Sequence, residues 1–167
     1  VIAIGRLDYQ KNFSRLIDIW SKTQTYDWKL EIIGSGKELP ILEDKIKNLN
    51  ISSINIIPAT RDIESYYKKA SLVLMSSRYE GLPMVLIEAK NFGLPVIAFD
   101  CKTGPREIIE NDGYLINYNE DDDFSNKLNL LLKNASLRES FSKNAILNSN
   151  KYSTKAILSQ WNELING

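Results

Sequence analysis

The sequence contains no histidine. That absence removes the side chain that titrates nearest neutral pH, the commonest zinc ligand, and every Ser-His or Cys-His catalytic pairing. Cysteine is nearly missing too. Cys101 alone cannot close an internal disulfide, and its place directly after the apolar run VIAFD marks it as a small buried or half-buried side chain and not as a nucleophile. Such usage fits a reducing compartment. No apolar run approaches the length of a membrane span. Net charge is absent as well: Lys plus Arg and Asp plus Glu both total 21. No overall basic field therefore points to nucleic acid or an anionic bilayer, and any phosphate site must be local. The chain shows no repeat and no low-complexity linker. It opens on VIAIG without an initiator Met or a leader-like region, from which we expect a partner domain upstream.

What is present is the composition of an ordinary globular protein, 43% hydrophobic and 25% charged over 167 residues, a length that fits one domain burying about 70% of its unfolded surface. Short apolar runs (VIAIG, KLEIIG, INIIP, LVLMSS, VIAFD, GYLINY) read as strands buried on both faces. Between them lie NFSRLIDIWSKTQ, KELPILEDKIKNLN, DIESYYKKA, MVLIEAKNFG and PREIIEN, whose apolar residues recur at helical spacing. Strict alternation of this kind predicts an α/β fold with a parallel sheet, right-handed crossovers, and ligands in the crevice beyond the carboxyl ends of the strands. The β/α core is expected over residues 1–118 and further helices over 119–167.

The loops that follow strands are therefore the places to search. GRLDYQKN puts Arg6 and Lys11 near the start of a helix, where cations oppose the dipole. A phosphate seated between them would explain the placement, and solvated surface charge is the competing account. GSGKE echoes a phosphate loop, but the leading spacing is wrong and Glu38 stands where a hydroxyl would hold magnesium, so a tight turn into a helix is expected, with Lys37 marginal. EDDD, Glu120 to Asp123, offers a D-x-D for a divalent metal. Its position just before a helix gives it a capping and dipole role instead. The aromatics Trp20, Trp28, Trp161 and the Tyr66-Tyr67 pair are scattered, which assigns them to core or edge packing. LVLMSSRYEGLPMVLIEA runs strand, turn, helix. Gly81 permits close backbone approach, Pro83 suits a first helical turn, and the exposed amides there can take an anion while Glu80 and Glu88 grip hydroxyls.

The pieces GRLDYQKN, EIIGSGKE, YYKKASLVLMSSRYEGLPMVLIEAKNFGLPVIA and TGPREII resemble, in order, the carboxyl-terminal domain of a retaining glycosyltransferase of the GT-B fold, family 4. The central piece carries the E-x-x-x-x-x-x-x-E pattern as Glu80 and Glu88, followed by Gly93, Pro95 and the VIA strand. The resemblance implies a Rossmann-like three-layer α/β/α half of a GT-B enzyme, with a parallel sheet of about six strands and C-terminal helices. It implies a nucleotide-sugar donor, a UDP-sugar favoured over a GDP-sugar, with the base near Pro58 to Arg61. Arg6, Lys11 and Glu80 would be catalytic. Donor binding would use these three together with Gly81, Leu82, Pro83, Met84 and Glu88, the last on the ribose. No metal is implied. The amino-terminal domain of the same polypeptide would bring a glycan or lipid-linked acceptor, the last helix crossing back to it, so that the isolated domain transfers nothing. The place of action implied is bacterial capsule, lipopolysaccharide or cell-wall glycan assembly, in the cytoplasm and in association with the inner face of the membrane. TGPREII has one Gly where many relatives have a pair, which singles out Gly104 and Glu107. Two other readings use the same fold: a non-catalytic nucleotide-responsive interaction module, and a sugar-nucleotide epimerase, for which acid-base groups are few without His.

Overall fold

The computed structural model describes residues 1–166. The strands are β1 (Ile2–Ile4), β2 (Leu30–Ile33), β3 (Ile54–Ile57), β4 (Val73–Met75), β5 (Val96–Asp100) and β6 (Gly113–Asn117). Between them run α1 (Phe13–Lys22), α2 (Leu39–Asn48), α3 (Ile63–Lys69), α4 (Met84–Asn91) and α5 (Pro105–Ile108), and α6 (Asp121–Lys133), α7 (Ala135–Ser149) and α8 (Thr154–Asn166) follow. The six strands form one sheet in the order β3-β2-β1-β4-β5-β6, and every neighbouring pair is parallel. This is the α/β, Rossmann-like sheet expected from the alternation.

Burial on both sheet faces explains why the strand sequences are continuous apolar runs. On one face Leu16 and Trp20 of α1, Leu42 of α2 and Phe124 of α6 form a cluster. On the other, Tyr67 of α3, Leu86 and Ile87 of α4 and Ile108 of α5 form a second. Fully burying a side chain of this size stabilises the fold by about 1.5–3 kcal/mol relative to leaving it exposed.

The sheet order puts a switch point between β1 and β4. From β1 the chain crosses toward β2 and β3; from β4 it crosses toward β5 and β6. The two strands are in register only at Ile2 and Val73, so their exit loops diverge and a crevice opens there, as in other doubly wound sheets. Polar groups span it. The Ser76 hydroxyl donates to the carbonyls of Lys11 at 2.9 Å and Asn12 at 3.2 Å. The Arg78 amide donates to the Gln10 carbonyl at 2.8 Å, and its guanidinium lies 4.2 Å over the Tyr9 ring. Asn12, in the left-handed region at φ 53°, turns the loop into α1, a conformation that Asn tolerates better than most residues.

On the far side of α4 sits a buried ion pair. Lys90 and Asp112, each 1% exposed, bond to one another, and Asn148 of α7 donates to the same carboxylate at 3.1 Å. The pair ties α4 to the turn before β6.

Three details differ from expectation. The PREIIEN helix is a single turn: Ile109 is already extended and the Glu110 amide donates to Asp112 Oδ1 at 3.1 Å, so the turn into β6 outcompetes further helix. Trp161 does not pack in a core or at an edge. It is 59% exposed on α8 beside Leu164 at 78%. In the acidic run no side chain caps α6. Asp121, Asp122 and Asp123 lie inside its first turn, where they complement the dipole, and Asp121 pairs with Arg15 at 2.6 Å.

Candidate functional site

The β1 exit loop folds so that Lys11 reaches across the crevice. Its stem lies over Gly5: a Cβ there would sit 2.8 Å from Lys11 Cε, so a side chain at this position would displace the lysine stem. Lys11 Nζ meets Glu80 Oε1 at 2.6 Å, with side-chain exposures of 16% and 6%. The same oxygen accepts from the buried Ser77 hydroxyl at 2.5 Å. Gln10 Nε2 approaches Glu80 Oε2 at 3.4 Å and donates to the Tyr79 carbonyl at 3.1 Å. Gln10 Oε1 in turn accepts from Arg6 at 3.2 Å, whose guanidinium also lies 3.4 Å from Asp8 and is 75% exposed. A carboxylate this buried is costly without partners, and it has an ammonium, a hydroxyl and an amide.

The turn that presents Glu80 is braced from β5. The Thr103 hydroxyl donates to the Glu80 carbonyl, and the Glu80 amide donates to the Lys102 carbonyl at 3.4 Å. Gly104, at φ 96°, packs so closely that a Cβ would lie 2.6 Å from Pro83 Cδ. Its amide donates to Glu107 at 2.9 Å. The single glycine of TGPREII therefore shapes the Gly81–Pro83 turn by contact. At Gly81 itself a Cβ would meet nothing within 4 Å, so this edge of the turn faces open space. Pro83 stands one position earlier than the first-turn place expected, as the residue before α4. Met84 and Leu82 are exposed.

Glu88 lies one turn into α4 and apart from the Lys11–Glu80 pair. Its carboxylate accepts from the Tyr67 hydroxyl at 2.6 Å, and it forms no ion pair among the described residues. Between the exits of β1, β2 and β3 a cavity of about 190 Å³ is lined by Arg6, Gly34, Ser35, Ala59, Thr60 and Ile63. The GSGKE loop forms its wall and is a packing turn: a Cβ on Gly34 would lie 1.8 Å from the Gly5 carbonyl oxygen. Lys37 is exposed and lines a neighbouring cavity of about 460 Å³ with Arg6, Gln10 and Tyr79. Among the described residues no group of three or more Cys, Asp or Glu side chains is gathered to hold a metal ion, and no helix is long and apolar enough to cross a membrane.

Cys101, 5% exposed, lies behind the site. Burial first, and then the charge of Glu80, push its thiol up to about 11. Unfolding lets the thiol ionise from about pH 8.5, so its contribution to stability is intact below that pH and is lost toward about 11. Iodoacetamide at pH 8 should label the native protein slowly and the protein in guanidinium fast. Rapid native labelling at pH 8 would contradict this.

A family model described as "Glycosyl transferases group 1" matches residues 1–147. The chain belongs to that family. It is 48% identical over 167 residues to the amylovoran biosynthesis glycosyltransferase AmsD of Erwinia amylovora, covering 99% of the chain and 48% of that protein. It is 33% identical to a poly(ribitol-phosphate) alpha-N-acetylglucosaminyltransferase of Staphylococcus aureus, covering 98% of the chain and 34% of that protein. Among solved structures, a mutant of S. aureus TarM in complex with fondaparinux, alpha-GlcNAc-glycerol and UDP superimposes with a TM-score of 0.91 at 31% identity, over 99% of the chain and 35% of TarM. The chain thus spans about half or less of the length of these relatives, and its fold is that of GT-B glycosyltransferase structures.

Of the residues singled out by sequence in this member of the group 1 family, Lys11 and Glu80 meet directly and Arg6 joins them through Gln10. Glu88 does not bond to them. Gln10, Ser77 and Thr103 escaped the sequence reading, although the Ser77-to-Glu80 spacing at the end of a strand was a usable signal. Tyr67, assigned to packing, is both packed and bonded to Glu88. No spacing rule pointed to it.

Proposed function

We propose that this chain is a single domain, the donor-binding, carboxyl-terminal half of a retaining, family 4 glycosyltransferase that takes a UDP-sugar and requires no metal ion. The observation that carries the reading is the largely buried Lys11–Glu80 pair at the switch-point crevice, where an ammonium and a carboxylate are held ready for ligand groups of opposite demand. A donor diphosphate would draw Lys11 away from Glu80 and share it with the exposed Arg6. Glu80, still held by Ser77 and Gln10, would then accept hydroxyls of the sugar to be transferred. The amides of Gly81, Leu82 and Met84 at the start of α4 would add donors to the phosphates, as helix N-termini do, while Pro83 contributes only shape. Glu88 would take the ribose hydroxyls, and the cavity beside Ala59 and Thr60 would take the base.

Transfer would break the bond between the anomeric carbon and the phosphate oxygen and form one from that carbon to an acceptor hydroxyl oxygen, the electron pair staying on the diphosphate, which takes up the acceptor's proton. Fixed cations and amides aimed at that charge supply the main catalytic contribution without any histidine. Two relatives, an amylovoran biosynthesis glycosyltransferase and a poly(ribitol-phosphate) alpha-N-acetylglucosaminyltransferase, favour bacterial surface polysaccharide synthesis, on a glycan or lipid-linked acceptor presented by an amino-terminal domain. The exposed apolar face of α8 suits docking of that domain. Alone, this half would transfer nothing. The cytoplasm, with peripheral attachment to the inner face of the membrane, is the place where such donors and acceptors meet.

Calorimetry of the protein with UDP and GDP tests the reading. UDP should bind more tightly than GDP, unaffected by EDTA, and at about 100 times its Kd should raise stability by roughly 2.7 kcal/mol. Failure to bind either nucleotide would end the proposal.

A further inference from the structure

Glu88 has one protein hydrogen-bond donor to its carboxylate among the described residues. The Tyr67 hydroxyl, reaching from α3 to α4, donates to Oε2 at 2.6 Å. The phenol cannot swing aside: Tyr67 is 1% exposed, and its ring lies flat on Phe92 just after α4, with centroids 5.0 Å apart and planes 2° from parallel. Burial first, and then the Glu88 carboxylate, push the Tyr67 phenol far above its usual range, so the hydroxyl keeps its proton at any physiological pH. Glu88 itself is half-buried, and its Oε1 receives no donor from the described residues.

A Glu side chain on a helix surface samples several rotamers, and a ligand that needs one of them must oppose that freedom. A short charge-assisted hydrogen bond from an immobile phenol selects one rotamer before any ligand arrives. The bond occupies one lone pair of Oε2. Oε1, together with the remaining lone pair of Oε2, is left to accept from a pair of neighbouring hydroxyls. Sequence distance conceals the arrangement, because the residues are 21 positions apart on helices that leave different strands.

We propose that Tyr67 is the positioning residue that locks the Glu88 carboxylate toward the ribose diol of the donor, and that through it the protein distinguishes ribonucleotides from 2′-deoxyribonucleotides. The proposal rests on the assignment of Glu88 to the ribose. Tyr67 touches no ligand atom; it acts through Glu88.

The test measures UDP and 2′-deoxy-UDP affinities by calorimetry on the full-length protein and on its Y67F, E88Q and Y67F/E88Q variants. Phe retains the ring and its stack on Phe92, so Y67F removes the hydroxyl alone, and thermal melts establish that each variant is folded. Y67F should weaken UDP binding about tenfold, the scale of one hydrogen bond to a charged group, and shrink the preference for UDP over 2′-deoxy-UDP. E88Q should abolish that preference. The double variant should match E88Q alone, because a residue that acts only through Glu88 adds nothing once the carboxylate is gone. If E88Q loses the preference while Y67F keeps it, the role of Tyr67 is refuted and the ribose assignment stands. Equal losses that simply add in the double variant would show Tyr67 acting elsewhere and would also refute it. If E88Q binds both nucleotides as the unaltered protein does, the ribose assignment fails and this proposal with it.

Discussion

If the chain serves the proposed transferase, replacing Lys11 by Ala should lower kcat by about 10²–10³, the loss typical of removing one group that stabilises developing charge, and should weaken UDP binding as well. The ammonium is the nearest fixed cation to Glu80 at 2.6 Å, and in the donor reading it moves onto the diphosphate. Glu80→Gln should behave differently. The amide keeps the shape of the side chain but accepts fewer hydrogen bonds, so UDP should still bind while the extra affinity conferred by the sugar of a UDP-sugar disappears. The two variants therefore separate the phosphate role from the hydroxyl role. Titration of both proteins with UDP and with UDP-sugars checks the difference, alongside single-turnover transfer. Equal loss of UDP binding in both would refute the division of labour. Lys11→Ala also leaves Glu80, 6% exposed, without its cation. A thermal melt is needed to set any loss of fold apart from loss of binding, and retained contacts from Ser77 and Gln10 limit that loss.

Lys90→Met should destabilise the fold by about 3–5 kcal/mol, because it leaves Asp112 as a buried charge without its counter-ion. For a chain of this length that is a fall in Tm of roughly 10 °C. Asp112→Ala should cost a similar amount for the converse reason. Both groups are 1% exposed, so water cannot compensate, and the donors that remain, Asn148 and the Glu110 amide, are neutral and do not offset the charge. Replacing the two together, Lys90→Met with Asp112→Leu, should recover most of the loss, since buried ion pairs rarely outperform apolar residues that fill the same space. Urea denaturation of the three variants measures the cycle. A double variant no better than the worse single one would mean that the pair specifies the seating of α4 beyond balancing charge. UDP affinity in the double variant would then report whether Glu88, two residues before Lys90 on α4, has moved.

The fold was legible because its signals are local. Runs such as VIAFD are apolar on both faces only if a sheet is covered on both sides, and helical spacing such as that of Leu16 and Trp20 on α1 identifies the covering layer. The exceptions are equally physical. PREIIEN carries helix formers, yet Asp112 draws the Glu110 amide into a turn. Trp161 suggests burial by type, yet α8 leaves it exposed. The site was half legible. Arg6, Lys11 and Glu80 were visible as charges on strand-exit loops, and Glu88 stood out within α4 only when taken together with them. The neutral groups that hold them were not visible: Gln10, Ser77 and Tyr67 are ordinary surface and core residues by type.

By itself the order of residues determined that a parallel sheet exists and that its layers are helical, and it pointed to the strand exits as the place to look for a site, because periodicity and turn chemistry act within a few residues. Only the tertiary structure decided that Lys11 rests on a carboxylate 69 positions away and that Tyr67 holds Glu88. Those pairings depend on strand order and on distances between elements to within an ångström, and hydrogen bonds are decided at that scale.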